Sequence, residues 1–105
     1  MPQYIMVATS TAHEGREGEY NAWYDNTHIH DVCAVPGFTS GQRWRALPEA
    51  SPNPPPADYL AIYEIEADDP GAAVNELMRR AGAGEIELTD AIDMSSANIW
   101  VYARY

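Results

Sequence analysis

Basic residues are scarce in this sequence of 105 residues, which has six Lys plus Arg against 16 Asp plus Glu and a formal net charge of -10. Nucleic acids and anionic membranes bind proteins through basic patches, so this composition argues against both as partners. The acidity is compatible with a small ligand that is neutral or apolar. A chain of this length predicts one domain, spanning residues 1–105, with a core of its own.

Long apolar runs and paired cysteines are also missing. The first residues have no basic flank, and their apolar run is too short for a signal peptide or a membrane span, so we expect a cytoplasmic protein. Cys33 is the only cysteine, and its apolar neighbours indicate a small buried hydrophobe rather than a reactive thiol. Phosphate loops, Gly-x-Ser-x-Gly elbows and Cys-pair metal motifs are absent from the sequence, which argues against nucleotide and hydrolase chemistry.

Segments rich in β-branched and aromatic residues predict four strands, at residues 3–9, 38–47, 58–67 and 97–105. Two helices are expected, from near Glu17 to before Pro36 and from Asp69 to about Arg80. Residues 48–56 form a Pro-rich surface loop between strands. The order βαββαβ predicts an α+β, ferredoxin-like domain, with a four-stranded antiparallel sheet covered by two helices on one face.

The predicted strands are apolar at nearly every position, for example at residues 4–8, 59–63 and 99–102. A sheet with one solvated face normally alternates apolar and polar residues, so both faces are expected to be covered. Two helices cover only one face, and a second copy of the sheet would cover the other. We therefore expect a homodimer through the sheet face, although scattered apolar residues on an open face are the alternative.

Three ionisable side chains of the first predicted helix share one stripe at helical spacing: Tyr24, His28 and Asp31. Imidazole is the side chain whose ordinary pKa lies nearest to neutral pH, so His28 is a candidate general acid or base. Asp31 could orient it or stabilise its protonated form, and Tyr24 could donate a hydrogen bond to a substrate carbonyl or phenolate. These are the candidate catalytic residues. The alternative is a purely structural hydrogen-bonded cluster that joins helix and sheet.

Candidate substrate-binding residues are the aromatic and cationic side chains near this stripe and on the strands: Tyr20, Arg43, Trp44, Tyr63 and Trp100. Arg43 and Trp44 are consecutive in a predicted strand, so they face opposite sides of the sheet, and the sequence leaves open which side lines a cavity. Arg43 could anchor a carboxylate or enolate, or it could pair with Glu64 or Glu66. The aromatic residues could wall a pocket or fill the core.

A metal site is not expected, although His28, His30 and Asp31 are close in sequence. Residues two apart on a helix do not share a face, so these side chains would converge only if the segment were unwound. A single axial histidine is also a poor indication of haem. We expect no cofactor.

The first helix and second strand resemble the motif of EthD-like proteins, in the dimeric α/β-barrel superfamily. The residues that carry the resemblance are Trp23, Tyr24, His28, Asp31, the run Pro36-Gly37-Phe38 and the run Gln42-Arg43-Trp44. The element order extends the resemblance to nearly the whole chain. One departure is His30, where relatives often carry Pro.

The resemblance implies a barrel made by two facing sheets, with a small-molecule cavity between each sheet and its own helices. The superfamily includes cofactor-free monooxygenases, muconolactone-type isomerases, polyketide cyclases and haem-handling proteins. We expect a cofactor-independent enzyme that moves a proton on a small apolar carbonyl or phenolic compound, in an isomerisation, cyclisation or elimination. The alternatives are a cofactor-free monooxygenase and a noncatalytic dimer that binds a small molecule.

Overall fold

Four strands and two helical regions follow one another in the predicted order in the computed structural model, which describes residues 3–105. The strands are β1 (Tyr4–Ala12), β2 (Phe38–Arg45), β3 (Tyr59–Ile65) and β4 (Ile92–Ala103). The helices are α1 (Glu17–Trp23), α2 (Ile29–Cys33) and α3 (Pro70–Gly82), and a 3₁₀ turn (Pro48–Ala50) lies in the Pro-rich loop. A π-helical segment (Tyr24–His28) joins α1 to α2, and these three pieces are called the first helical region below.

The strands form one antiparallel sheet in the order β2-β3-β1-β4, which confirms the predicted ferredoxin-like fold. β1 lies between β3 and β4, so the first strand of the chain is central. Pairing of β1 with β4 continues past a register shift between Thr9 and Thr11, out to Ala12 opposite Ile92. Both strands therefore extend beyond their predicted bounds at this end of the sheet.

Local sequence explains where the helices begin and end. Asp69 caps α3 by accepting a hydrogen bond of 3.1 Å from the backbone N–H of Ala72, and Pro70 occupies the first turn, where no donor is needed. Gly37 has a φ of 99° in the turn after α2, a conformation that glycine adopts without steric cost. This turn leads the chain directly into β2.

The core lies between the sheet and the helical regions. Strand residues whose side chains face the helices include Met6 on β1 and Tyr63 on β3, which are paired across the two strands. Helix residues that pack on them include Tyr20, Val32 and Leu77, and all are buried. Neither helical region covers the opposite face of the sheet, and in residues 3–105 only the Pro-rich loop lies against one end of it, beside Thr9, Trp44 and Leu60. The expected second copy of the sheet is not shown.

Candidate functional site

The π-helical segment gives the first helical region a geometry that a regular α-helix would not have. Residues five apart lie on different faces of an α-helix, but the Trp23 and His28 rings stack with centroids 4.3 Å apart and planes inclined by 21°. Tyr24 packs edge-on against the same imidazole at 5.1 Å. The extra residue in this turn therefore places an indole and a phenol around one histidine.

A cavity of about 450 Å³ lies between the sheet and the helices, next to this histidine. Its walls are mainly aliphatic and aromatic, from β1, β4, α3, the first helical region and the segment after α3. Three candidate residues line it, namely Tyr24, His28 and Tyr63. The volume falls within the range of about 300–1,000 Å³ that is common for small-molecule pockets.

Unpartnered polar atoms are concentrated at this cavity. In the described chain, three buried side-chain polar atoms have no hydrogen-bond partner: Thr9 Oγ1, His28 Nδ1 and Tyr63 OH. His28 and Tyr63 line the cavity, and Tyr63 is only 1% exposed. Thr9 pairs with Leu60, as Trp44 does, so its side chain lies on the opposite face of the sheet, beside the Pro-rich loop. Each unpaired buried polar group costs about 1–3 kcal/mol, so the imidazole and the phenol at one cavity indicate a site that suits a polar ligand group.

Burial sets the protonation states of these groups. Removal from water lowers the pKa of His28 to about 4, and the nearby Asp31 carboxylate opposes this shift only in part. Burial raises the pKa of Tyr24 to about 12 and raises that of Tyr63 as well. At neutral pH the imidazole is therefore neutral and can accept a proton, whereas both phenols are protonated and can donate hydrogen bonds.

Asp31 does not reach the position that regular helical spacing predicts. The π-helical segment adds a residue to the turn, so Val32 follows His28 on the buried face and is fully buried. Asp31 is half-buried and makes no hydrogen bond to His28 in the described chain. Its effect on the imidazole is electrostatic, through the pKa, and the predicted orienting hydrogen bond is absent.

Tyr20 and Arg43 lie behind the cavity wall, in a cluster that is already satisfied. The Arg43 guanidinium donates to Asn21 Oδ1 at 2.8 Å and to Asp25 Oδ1 at 3.0 Å. It also lies over the Tyr24 ring at 4.5 Å and the Tyr20 ring at 5.5 Å. The alternative pairing with Glu64 or Glu66 does not occur, because Arg43 points toward the first helical region.

The Tyr20 hydroxyl is hydrogen-bonded to Ser10 Oγ, and the Tyr20 ring is fully buried. Neither Tyr20 nor Arg43 lines the cavity. Tyr20 and Arg43 therefore contact Tyr24 from behind the wall and do not reach a ligand in the cavity.

Trp44 and Trp100 lie on the opposite face of the sheet from the cavity, and neither of them lines it. Trp44 pairs with Leu60 and Trp100 pairs with Val7, and these register positions alternate with the helix-facing residues Ala61 and Met6. The two indoles are 55% and 41% exposed.

Trp23, Ser10 and the segment after α3 line the cavity although helical and strand spacing did not predict them. Trp23 precedes His28 by five residues, and only the π-helical segment brings its indole onto the imidazole. Ser10 lies on the cavity side of β1 at the register shift between Thr9 and Thr11, which interrupts the strand alternation as bulges do.

Residues 83–91 cover the side of the cavity between α3 and β4. Ile86 is buried in the core, and Leu88 lines the cavity while remaining largely exposed. The Trp23 indole N–H donates to the Glu87 carbonyl oxygen at 2.9 Å, which ties this segment to the first helical region. No pattern in the sequence indicates this contact, since it joins a residue of the first helical region to a loop residue far away in the chain.

Metal ligands are not grouped in residues 3–105: no three His, Cys, Asp or Glu side chains come together in a way that could hold an ion. Among the same residues, none of the helices has the length and apolar character needed to cross a bilayer.

A comparison of the chain with protein-family models found no match, and a comparison with curated proteins found none either. The resemblance to EthD-like proteins therefore stays a prediction that the motif residues carry alone.

Proposed function

We propose that this protein binds a small, mostly apolar carbonyl or phenolic compound in the cavity and moves a proton on it through His28. The observation that carries the proposal is the presence of two unpartnered buried polar atoms, His28 Nδ1 and Tyr63 OH, at one apolar cavity. A ligand oxygen there would satisfy groups that otherwise destabilise the fold.

The chemistry follows from the protonation states of the lining groups. Neutral His28 accepts a proton from carbon or oxygen of the substrate, and the protonated phenols of Tyr24 and Tyr63 donate to the oxygen on which negative charge develops. The developing enolate or phenolate, together with Asp31, then favours the imidazolium. Return of the proton to a different atom of the substrate completes an isomerisation or cyclisation, and its transfer to a departing hydroxyl group, which leaves as water, completes an elimination; neither needs a cofactor.

A noncatalytic binding protein is the second candidate, and one observation favours it. A His28 with a pKa of about 4 is a weak base, so its neutral ring is also suited to a simple hydrogen bond with a ligand hydroxyl.

The test compares the wild type with His28→Gln and with the matched surface variant His30→Gln. Each protein is screened by thermal stability against phenols, lactones and enones, and any ligand is followed for conversion by mass spectrometry. We expect at least one ligand to stabilise all three proteins and to be converted by the wild type and His30→Gln only, with turnover by His28→Gln reduced about 100-fold or more. Stabilisation without conversion would favour the binding protein, and oxygen uptake during conversion would indicate a monooxygenase instead.

We also propose that two copies pair through the sheet face that the helices leave open. Trp44, Trp100 and Tyr102 are exposed on this face, around the less exposed Ile5 and Ile62. A stable dimer commonly buries about 1,200–2,000 Å² in total, and an apolar sheet face is suited to that role.

Sedimentation velocity tests the dimer. The wild type is expected to sediment as a dimer and Trp100→Glu as a monomer, because a carboxylate would be buried in the interface. Tyr105→Glu, at the exposed end of the chain, is the matched control and should remain dimeric. A monomeric wild type would contradict the proposal.

A further inference from the structure

An outer pocket adjoins the cavity, and the outer pocket is lined by charged side chains whereas the cavity is not. The two spaces share three residues, namely Trp23, Leu88 and Thr89. Beyond these residues the outer pocket is lined by carboxylates and polar groups, which include Glu19, Glu87, Asp90, Asn26 and Thr27. Trp23 and Leu88 therefore separate an acidic outer surface from an apolar space, and the hydrogen bond from the Trp23 indole to the Glu87 carbonyl oxygen holds this wall together.

The carboxylates of the outer pocket are only partly neutralised. Arg16 pairs with Glu19 and with Asp90, each at 2.6 Å. The Glu87 carboxylate has no ion pair in the described chain, although the backbone oxygen of the same residue holds the Trp23 indole. The electrostatic potential at this surface is thus negative, as the net charge of -10 also favours.

The cavity itself contains no charged side chain. Among the described residues that line it there is no Asp, Glu, Lys or Arg, and its one titratable imidazole is neutral at neutral pH. The guanidinium of Arg43, which lies 4.5 Å from the centre of the Tyr24 ring, is engaged by Asn21 and Asp25 behind the wall. An anionic ligand in the cavity would have no cation to pair with, and an unpaired buried charge is far more costly than a buried neutral polar group.

We propose that the cavity and the outer pocket together select uncharged ligands and reject carboxylates, with Glu87 as a specificity-determining residue beside the wall that the two spaces share. This inference rests on the proposed function, since it assigns a substrate class to the same site. The ligand is a neutral ketone, enone, lactone or phenol that places its oxygen near Tyr63 and His28. Carboxylic acids of the same size and shape are excluded.

Matched probes test this selection: 2-naphthol and 2-naphthamide, which are neutral, and 2-naphthoate, which is an anion at neutral pH. Affinities are measured by isothermal titration calorimetry with the wild type at low salt. We expect both neutral probes to bind and the carboxylate to bind at least about 30-fold more weakly, because its charge is desolvated without a partner. The ratio of the naphthoate to the naphthamide dissociation constant should fall about two- to threefold in Glu87→Gln. Glu49→Gln is the control, because it removes an exposed carboxylate far from the site, and it should leave this ratio unchanged.

The location of the bound probe is tested with Ala81→Phe, which adds a ring at a position that lines the cavity on α3. Loss of naphthol binding is expected there, whereas Ala72→Phe on the exposed side of the same helix should bind as the wild type does. Ala97→Leu, on β4, is a second variant that narrows the cavity should Ala81→Phe not fold.

The outcomes separate this inference from the proposed function. Equal affinities for naphthoate and naphthamide would overturn the charge selection and leave the binding function standing. No binding of either neutral probe up to about 1 mM would overturn the binding function, and the charge selection with it. Unchanged naphthol binding in folded Ala81→Phe and Ala97→Leu would place the ligand elsewhere and overturn both assignments. An unchanged ratio in Glu87→Gln would remove that residue from the selection.

Discussion

The pH dependence of folding tests the burial of His28 without any knowledge of a substrate. Burial beside Trp23 lowers the pKa of His28 from 6.5 to about 4. In the unfolded chain this histidine takes up a proton as the pH falls below 6.5, but in the folded protein it does so only near pH 4. Titration of His28 therefore does not affect the stability of the fold well above pH 6.5, and it lowers that stability progressively as the pH falls to 4.

The magnitude follows from the two pKa values. One pKa unit corresponds to about 1.4 kcal/mol, so the shift of His28 amounts to about 3 kcal/mol at most, and partial solvent contact reduces it. For a chain of this size, a loss of that amount is a large part of the total stability, which is about 5–15 kcal/mol in most domains.

Urea unfolding of the wild type and His28→Gln over this pH range measures the effect. The difference in free energy of unfolding between the two proteins should shrink by about 2–3 kcal/mol as the pH falls from 6.5 to 4. His30→Gln is the matched control, because His30 is exposed two residues away, and it should lose stability in parallel with the wild type. NMR titration of the His28 ring gives its pKa directly.

A difference in the free energy of unfolding between the wild type and His28→Gln that stays constant across this pH range would refute the argument. A His28 ring that titrates near 6.5 would do the same, since it would show that the imidazole is solvated. Either result would also remove the reason for treating His28 as neutral in the proposed reaction.

Three substitutions test the packing around the site by urea unfolding at neutral pH. Gly41→Ala should lower the free energy of unfolding by about 1–3 kcal/mol, because its Cβ would lie 2.8 Å from the Tyr63 ring, and an unchanged stability would show that the ring moves freely. Arg43→Lys should cost about 1–2 kcal/mol, since an ammonium cannot bond Asn21 and Asp25 in the planar fork geometry, and a neutral result would mean that the cluster is not structural. Leu77→Ala should cost about 2–3 kcal/mol by enlarging the cavity, and a smaller loss would indicate that the wall collapses.

The fold was largely predictable because each element carried its own local signal. Apolar runs marked the strands, Asp69 marked the start of α3, and Pro36 marked the end of the first helical region. These signals depend on neighbouring residues only. The bounds of β1 and β4 were predicted less well, because their pairing beyond the register shift depends on contacts between distant segments.

The site was predicted only in part, for two physical reasons. Regular α-helical spacing correctly grouped Tyr24 with His28, but it put Asp31 rather than Val32 on the same face after them. The reason is that nothing in the sequence indicates a π-helical segment. Strand alternation showed that Arg43 and Trp44 face opposite sides, yet it could not say which side meets the helices. That choice depends on tertiary packing.

The π-helical segment makes the number of residues in the first helical region a determinant of the site. Removing one residue, such as Asn26, would let the turn relax to a regular α-helix and rotate everything after it by about 100° relative to everything before it. Trp23 and His28 would then no longer stack, and Val32 would no longer lie on the buried face of the helical region. If this chain is aligned with a protein whose helix is regular throughout, the other sequence therefore needs a one-residue gap between Tyr24 and His28. Only with that gap do equivalent side chains align on both sides of the segment.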